Sequence, residues 1–160
     1  MPTNAETALA LFQPHVGQPD GAGSWIEITQ DRINKFADAT DDHQFIHINP
    51  EQSARMSPYK VTIAHGFLTL SMLTALNGTI TNKYPAAYQG VVMGINYGLD
   101  KVRFPSPVKV KSKIRGVREL LAAELKAPNT IQLTQRITVE IEGEGKPGCV
   151  AEWLTRLIYA

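Results

Sequence analysis

The run from Phe67 to Leu76 reads FLTLSMLTAL and contains no charged residue. Its composition predicts a helix, which Asn77 and Gly78 would end. A helix that is apolar on every side normally lies in a protein core or spans a membrane. This run is much shorter than the roughly 20 residues that a membrane-spanning helix needs. We therefore predict a buried central helix.

The stretches that follow this helix predict a sheet that surrounds it. Residues 108–117 and 131–142 alternate apolar and polar side chains, and residues 91–104 and 149–160 are further β-rich runs. Alternation with one polar face is typical of an antiparallel sheet that packs on a core from one side. The predicted fold class is α+β, with a curled antiparallel sheet wrapped around the apolar helix in a single domain over residues 1–160.

Composition restricts the class of protein. The chain has 160 residues, of which 43% are hydrophobic and 19% charged, as in ordinary soluble domains. A formal net charge of +1 gives no indication of a nucleic-acid or membrane partner. One cysteine, Cys149, excludes an internal disulfide, and the N-terminus lacks the basic region of a secretion signal. We expect a cytoplasmic protein.

The first half of the chain predicts short elements joined by loops. Thr29 is placed to cap a helix over residues 30–39, and Asn49-Pro50 is typical of a second helix start. A short N-terminal helix is predicted before a loop rich in glycine and proline over residues 14–24. A short strand over residues 25–29 follows that loop.

Residues 40–47, TDDHQFIH, place two carboxylates and two imidazoles between the two helices, in a predicted loop or irregular turn. Three interpretations are open: a polar structural turn, a general acid/base pair, or a metal site. Taken alone, the structural turn is the commonest of the three. A metal site would use His43 and His47, with further ligands from Asp41, Asp42 and His65. The metal interpretation is the weaker rival, since Gln44-Phe45-Ile46 and the following Asn-Pro favour a turn over a helix.

Three segments of the chain resemble the MaoC-like dehydratase family, which includes the (R)-specific enoyl-CoA hydratases. They are DATDDHQFIHINPEQSA (38–54), IAHGFLTLS (63–71) and NYGLDKVRFPSPV (96–108). The resemblance is closest to the nodulation-protein-N-like branch. It implies the hotdog fold, in which a sheet wraps around a central helix, and a subunit that is usually dimeric.

The family signature assigns roles to individual residues. Asp42 and His47 match its acid/base pair, and His65-Gly66 matches its later element, while the family's Asn-Pro is Gln44-Phe45 here. The resemblance implies that Asp42 and His47 handle the protons of one water molecule. Gly66, at the start of the apolar helix, would offer a backbone N–H to the thioester oxygen. His65 would shape this substrate-binding loop, and Ser71 and Thr74 are candidates to steady Asp42; Asp41 and His43 are interpreted as bystanders.

The implied function is a lyase, an (R)-specific 2-enoyl-CoA hydratase or 3-hydroxyacyl-CoA dehydratase that acts reversibly on an acyl-CoA thioester. Neither a metal nor a cofactor is implied, because the thioester itself acidifies C2. The expected assembly is a homodimer. Two alternatives remain open: an acyl-CoA thioesterase of the same fold, and a non-catalytic partner subunit that binds acyl thioesters.

Overall fold

The structure, a computed structural model, describes Met1 and residues 3–160. Within the described residues, no helix has both the length and the apolar character that crossing a bilayer requires. The helices are α1 Asn4–Phe12, α2 Gln30–Thr40, α3 Phe45–Ile48, α4 Pro50–Met56, α5 Gly66–Ser71 and α6 Leu73–Gly78. The strands are β1 Pro19–Ala22, β2 Ile26–Glu27, β3 Val91–Arg103, β4 Lys113–Ala127, β5 Thr130–Ile141 and β6 Cys149–Tyr159.

One antiparallel sheet wraps around the α5–α6 segment. Its strand order is β1-β4-β5-β6-β3, and β2 also pairs with β4. Side chains of α5 and α6, such as Leu68 and Leu76, pack in one core cluster with inward-facing residues of the sheet, such as Ile137 and Trp153. This α+β arrangement confirms the predicted hotdog fold. Strand β3 lies at one edge of the sheet, next to the helices.

The central helix differs from its prediction in two ways. It is divided at Met72, where ψ is −3°, so that α5 and α6 replace one continuous helix. It is also buried on one face only: Phe67 is 69% exposed, and Ser71 and Thr74 are exposed as well. The prediction of a helix buried all round is therefore wrong for the single chain, because the sheet covers only the face that carries Leu68 and Leu76.

Strand β4 also departs from the sequence prediction. It begins at Lys113 and not at residue 108, because residues 108–112 turn: Lys111 adopts φ 68° and only an isolated bridge joins Lys109 to Ile63. It then continues to Ala127 through Leu, Ala, Glu and Lys residues that favour helices. Pairing with β5 over this whole length overrides that local preference.

A buried ion pair ties β1 to β4 beneath the end of α6. The Arg118 Nε donates to Asp20 Oδ2 over 2.8 Å, and both side chains are almost fully buried. The Tyr84 hydroxyl donates to the same Asp20 oxygen over 2.7 Å. Arg118 Nη1 donates to Asn77 Oδ1 over 2.7 Å, so the C-terminal turn of α6 belongs to this network.

Candidate active site

The TDDHQFIH motif forms the connection between α2 and α4. Helix α2 begins after Thr29, whose side chain accepts from Arg32 N–H, and ends at Asp41 in the left-handed conformation. The predicted loop contains one short helical turn, α3, after which Asn49 caps α4 by accepting from Gln52 N–H. The predicted caps at Thr29 and Asn49 are confirmed. The turn of α3 directs His47 towards the core.

His47 is held by two backbone hydrogen bonds. Its Nδ1 lies 2.7 Å from the Ile63 carbonyl oxygen, which can only accept, so Nδ1 carries the proton. The side chain of Gln30 donates to the backbone oxygen of His47 over 2.8 Å. Nε2 of His47 is therefore left as a hydrogen-bond acceptor with a fixed direction.

His65 lies against His47. The two imidazole rings stack with centroids 3.8 Å apart and planes inclined by 23°. His65 Nε2 donates to the backbone oxygen of Asp42 over 2.9 Å, and in the neutral imidazole its Nδ1 carries a lone pair. This Nδ1 is buried and has no hydrogen-bond partner in the part of the chain that the structure describes. His65 thus fixes the backbone at Asp42 and the ring plane of His47 together.

Electrostatics keep His47 neutral near pH 7. Burial lowers the pKa of His47 below 6.5, and the neighbouring His65 lowers it further. The hydrogen bond to Ile63 and the carboxylate of Asp42 offset part of this shift in the pKa. A neutral imidazole with a bare Nε2 can accept a proton from water.

Three titratable side chains converge at this point. A carboxylate oxygen of Asp42 and one ring nitrogen each of His47 and His65 all lie within 4.8 Å of one another. Both imidazoles are buried, whereas Asp42 is exposed in the single chain. The structure therefore brings together Asp42 and His47, the two residues that the sequence pairs.

Gly66 follows His65 directly and begins α5. The N–H groups of a first helical turn have no acceptor within the helix, so they are available to another group. A Cβ atom at position 66 would lie 3.2–3.3 Å from the Phe104 ring, which packs over this turn. The close approach of Phe104 thus depends on glycine.

The other candidate residues lie apart from the three converging side chains. Ser71 donates to the Phe67 carbonyl oxygen over 2.6 Å, and with Thr74 it lines a cavity of about 290 Å³ beside β3. Neither forms a hydrogen bond to Asp42 among the residues described. His43 is bonded to the exposed Asp38 at 2.9 Å, and this hydrogen bond raises the pKa of His43.

Sequence reasoning missed the groups that orient His47. Gln30 binds the backbone of His47 and also accepts from the Thr62 hydroxyl, and Ile63 supplies a carbonyl oxygen. A glutamine at the start of a helix carries no signal of such a role. A backbone carbonyl carries none at all, because any residue could supply it.

The stacking of His47 and His65 argues against a shared metal ion. A metal binds an imidazole nitrogen in the plane of the ring, at about 2.0–2.1 Å. Because the ring centroids are 3.8 Å apart in nearly parallel planes, an ion between the rings would lie well outside both planes. His43, part of the metal interpretation, is outside the group formed by Asp42, His47 and His65.

We predict accordingly that activity is independent of metal. Prolonged treatment with a chelator should leave unchanged the hydration of enoyl thioesters that the resemblance implies, measured as the loss of enoyl absorbance. The control is addition of zinc to treated and untreated protein. Activity that disappears on chelation and returns with zinc would contradict the prediction and would make Asp42, His47 and His65 a ligand set.

Residues 11–142 match the family described as MaoC like domain. The chain belongs to this family. MaoC-like relatives include Nodulation protein N of Rhizobium leguminosarum bv. viciae, 46% identical over 150 residues, which are 94% of this chain and 91% of that protein. The 3-hydroxyacyl-thioester dehydratase Z of Mycobacterium tuberculosis (strain ATCC 25618 / H37Rv) is 46% identical over 151 residues, 94% of this chain and 96% of that protein.

Solved MaoC-like folds superimpose on the structure. The unliganded R-hydratase PhaJ1 of Pseudomonas aeruginosa aligns with a TM-score of 0.68 and 22% identity, over 99% of this chain and 86% of that one. The (R)-hydratase of A. caviae aligns with a TM-score of 0.65 and 23% identity, over 88% and 94% of the two chains. At these identities the likeness establishes the fold.

Proposed function

We propose that this MaoC-like protein is an (R)-specific 2-enoyl-CoA hydratase, working reversibly as a 3-hydroxyacyl-CoA dehydratase. The observation that carries the proposal is the convergence of Asp42 with the neutral His47 within 4.8 Å. The 3-hydroxyacyl-thioester dehydratase Z, at 46% identity over nearly the full length of both proteins, supports the substrate class. The chain's own residues support the chemistry.

Asp42 and His47 would act on one water molecule. The water oxygen forms a bond to C3 of the enoyl thioester while one of the two groups takes its proton. The electron pair of the C2–C3 double bond moves to the thioester, giving an enolate, and a proton is then delivered to C2. The fixed Nε2 of His47 and the carboxylate of Asp42 both accept hydrogen bonds, so the water can donate to each.

Gly66 would stabilise the enolate oxygen. Its N–H belongs to the open first turn of α5, and the absence of a side chain lets a thioester carbonyl approach closely. A backbone N–H aimed at a developing oxyanion is worth about 3 kcal/mol in other enzymes. His65, next to Gly66, holds Asp42 through its backbone and so sets the distance between the two parts of the site.

The proposal is tested by assaying purified protein with 2-enoyl-CoAs of graded chain length. We expect loss of the enoyl absorbance and formation of the (R)-3-hydroxyacyl-CoA, identified by chiral chromatography. A thiol reagent in a parallel assay reports free CoA. Release of CoA without hydration would indicate the thioesterase. Absence of both reactions on every chain length would favour a non-catalytic thioester-binding subunit.

We also propose that the protein is a homodimer that pairs through β3. This edge strand has open backbone groups on one side, and exposed edges favour pairing with another chain. Several of its apolar side chains are exposed, as is Phe67 of α5, and clustered exposed apolar residues mark interfaces. The exposed apolar residues of β3 are Val92, Met93, Ile95, Tyr97 and Leu99. A second copy on this surface would cover the exposed face of α5 and α6.

The dimer prediction is tested by light scattering at micromolar concentration, where we expect a particle of twice the 17.6 kDa chain mass. Tyr97→Lys should shift the equilibrium to monomer, because a twofold interface contains each substitution twice. Leu125→Lys is the control, since Leu125 is an exposed apolar residue on β4, away from the β3 surface. A stable monomer of the unaltered protein would contradict the prediction.

A further inference from the structure

A cavity of about 190 Å³ lies between the end of α6 and the inner face of the sheet. Its walls are largely apolar, with Ile95, Leu133, Trp153 and Leu157 among them. Six polar side chains also line it, among them Asn77, Tyr88 and Gln135. The cavity adjoins the 290 Å³ cavity beside α5, with which it shares Thr74, Asn96 and Trp153. The two together form a groove along the central helix.

Gln135 is the most unusual residue of this cavity. It is only 3% exposed, and its Nε2 is buried without a hydrogen-bond partner among the residues described. A buried donor without an acceptor typically costs about 1–3 kcal/mol. Burial raises the pKa of the adjacent Tyr88 hydroxyl, and Arg118 and hydrogen bonding from the Gln135 side chain lower it in part. The contact between Gln135 Nε2 and Tyr88 does not meet hydrogen-bond geometry, so this donor has no full partner in the described part of the chain.

Asn77 presents a second donor to the cavity. Its Oδ1 accepts from Arg118 Nη1 over 2.7 Å, and because a guanidinium can only donate, the orientation of the Asn77 amide is fixed. The Nδ2 of Asn77, with two hydrogens, therefore points away from Arg118. Asn77 and Gln135 both line the cavity. Such a pair is suited to an oxygen atom that accepts hydrogen bonds.

Charge at this end of the groove favours a neutral oxygen over a carboxylate. Arg118 is the cation next to Asn77; its Nε is paired with Asp20 at 2.8 Å, and its buried Nη2 has no hydrogen-bond partner among the residues described. A carboxylate placed beside this neutralised pair would be a buried charge without its own counter-ion, which is costly. A ketone or hydroxyl oxygen needs only the amide donors.

We propose that Asn77 and Gln135 form a subsite that binds a keto or hydroxyl oxygen on the acyl chain of the thioester substrate. The inference rests on the proposed function, because it places the acyl chain along α5 and α6 from the Gly66 end. Eleven residues separate Gly66 from Asn77, about 16 Å along a helix. The oxygen would therefore lie well down a medium or long chain and not near the thioester.

The test measures binding, separately from turnover. Dodecanoyl-CoA and a series of oxododecanoyl-CoAs, with the ketone at successive carbons beyond C4, are titrated into the protein by calorimetry. These saturated thioesters cannot be hydrated. We expect one ketone position to bind about three- to tenfold more tightly than dodecanoyl-CoA, the gain of one well-placed hydrogen bond.

Gln135→Leu should abolish this preference, so that oxododecanoyl-CoAs and dodecanoyl-CoA bind the variant with equal affinity. We expect the variant to fold, since it replaces a buried, unpaired amide by an apolar group of similar size. Gln132→Leu is the matched control: the same change on the same strand, at a glutamine whose Oε1 accepts from Arg156 and which faces the other side of the sheet. This variant should keep the preference.

The inference would be overturned if the unaltered protein bound every oxododecanoyl-CoA with the same affinity as dodecanoyl-CoA. It would also be overturned if the preference for one ketone position survived in Gln135→Leu. The proposed activity fails independently. A protein that prefers one ketone position but hydrates no 2-enoyl-CoA would refute the hydratase and support the subsite. A protein that hydrates 2-enoyl-CoAs but shows no preference for a ketone position would support the hydratase and refute the subsite.

Discussion

Asp42→Asn and His47→Ala are each expected to lower the rate of enoyl-thioester hydration by about 10²- to 10⁴-fold, the usual contribution of a general acid or base. Asn keeps the shape of Asp42 but cannot accept the proton, and Ala removes the fixed Nε2 of His47. The double variant should be little worse than the worse single one, because both groups act on the same water. An absorbance assay of the enoyl thioester measures all three.

His43→Ala is the control for this prediction. The His43 imidazole bonds to Asp38 at the surface and is outside the group of three converging side chains, so its removal should change the rate only slightly. All variants are compared at equal folded concentration, verified by thermal unfolding. Near-normal turnover in Asp42→Asn, or equal damage from His43→Ala and His47→Ala, would show that the acid/base pair is misassigned.

The largest loss of stability is expected from Asp20→Asn. This change would leave Arg118 as a buried cation without a counter-ion and would weaken the bond from Tyr84 to Asp20 Oδ2. Breaking a buried ion pair by neutralising one partner typically costs about 3–5 kcal/mol. We expect a decrease of this size in the free energy of unfolding, measured by urea denaturation followed by circular dichroism.

Asp31→Asn provides the same chemical change at an exposed ion pair. The side chains of Asp31 and Lys35 are 73% and 75% exposed and lie one helical turn apart in α2. Exposed ion pairs one helical turn apart contribute about 0.3–0.5 kcal/mol to stability, so the midpoint of urea denaturation should hardly change. If Asp20→Asn were as mild as Asp31→Asn, the ion pair with Arg118 would not be a main tie between β1 and β4.

Much of the fold could be predicted from the sequence because its signals are local. Thr29 and Asn49 are good caps, and both begin helices where predicted. The alternation in 131–142 is typical of a strand, and β5 occupies Thr130–Ile141. The second half of β4 had no such signal, since Leu120 to Lys126 prefers helix and becomes a strand only by pairing with β5.

The candidate site was predictable in its members more than in its geometry. The spacing of Asp42 and His47 matches a family signature, so the resemblance names both. The stack of His47 on His65 joins residues distant in the sequence and is visible only after the chain has folded. The hydrogen bond from His47 Nδ1 to the Ile63 carbonyl oxygen likewise joins residues that are distant in the sequence. This bond leaves Nε2 as the His47 nitrogen that can accept a proton.

The division of the central helix at Met72 lets its two halves vary separately. Helix α5 begins at Gly66, the proposed oxyanion donor, whereas α6 carries Asn77, which is bound to Arg118. A continuous helix would transmit a shift at one end to the other, and a break absorbs it. If Asn77 contacts the acyl chain as proposed, substitutions around it would change which chains bind without displacing Asp42, His47 and Gly66. Such modularity allows one catalytic apparatus to acquire new substrates.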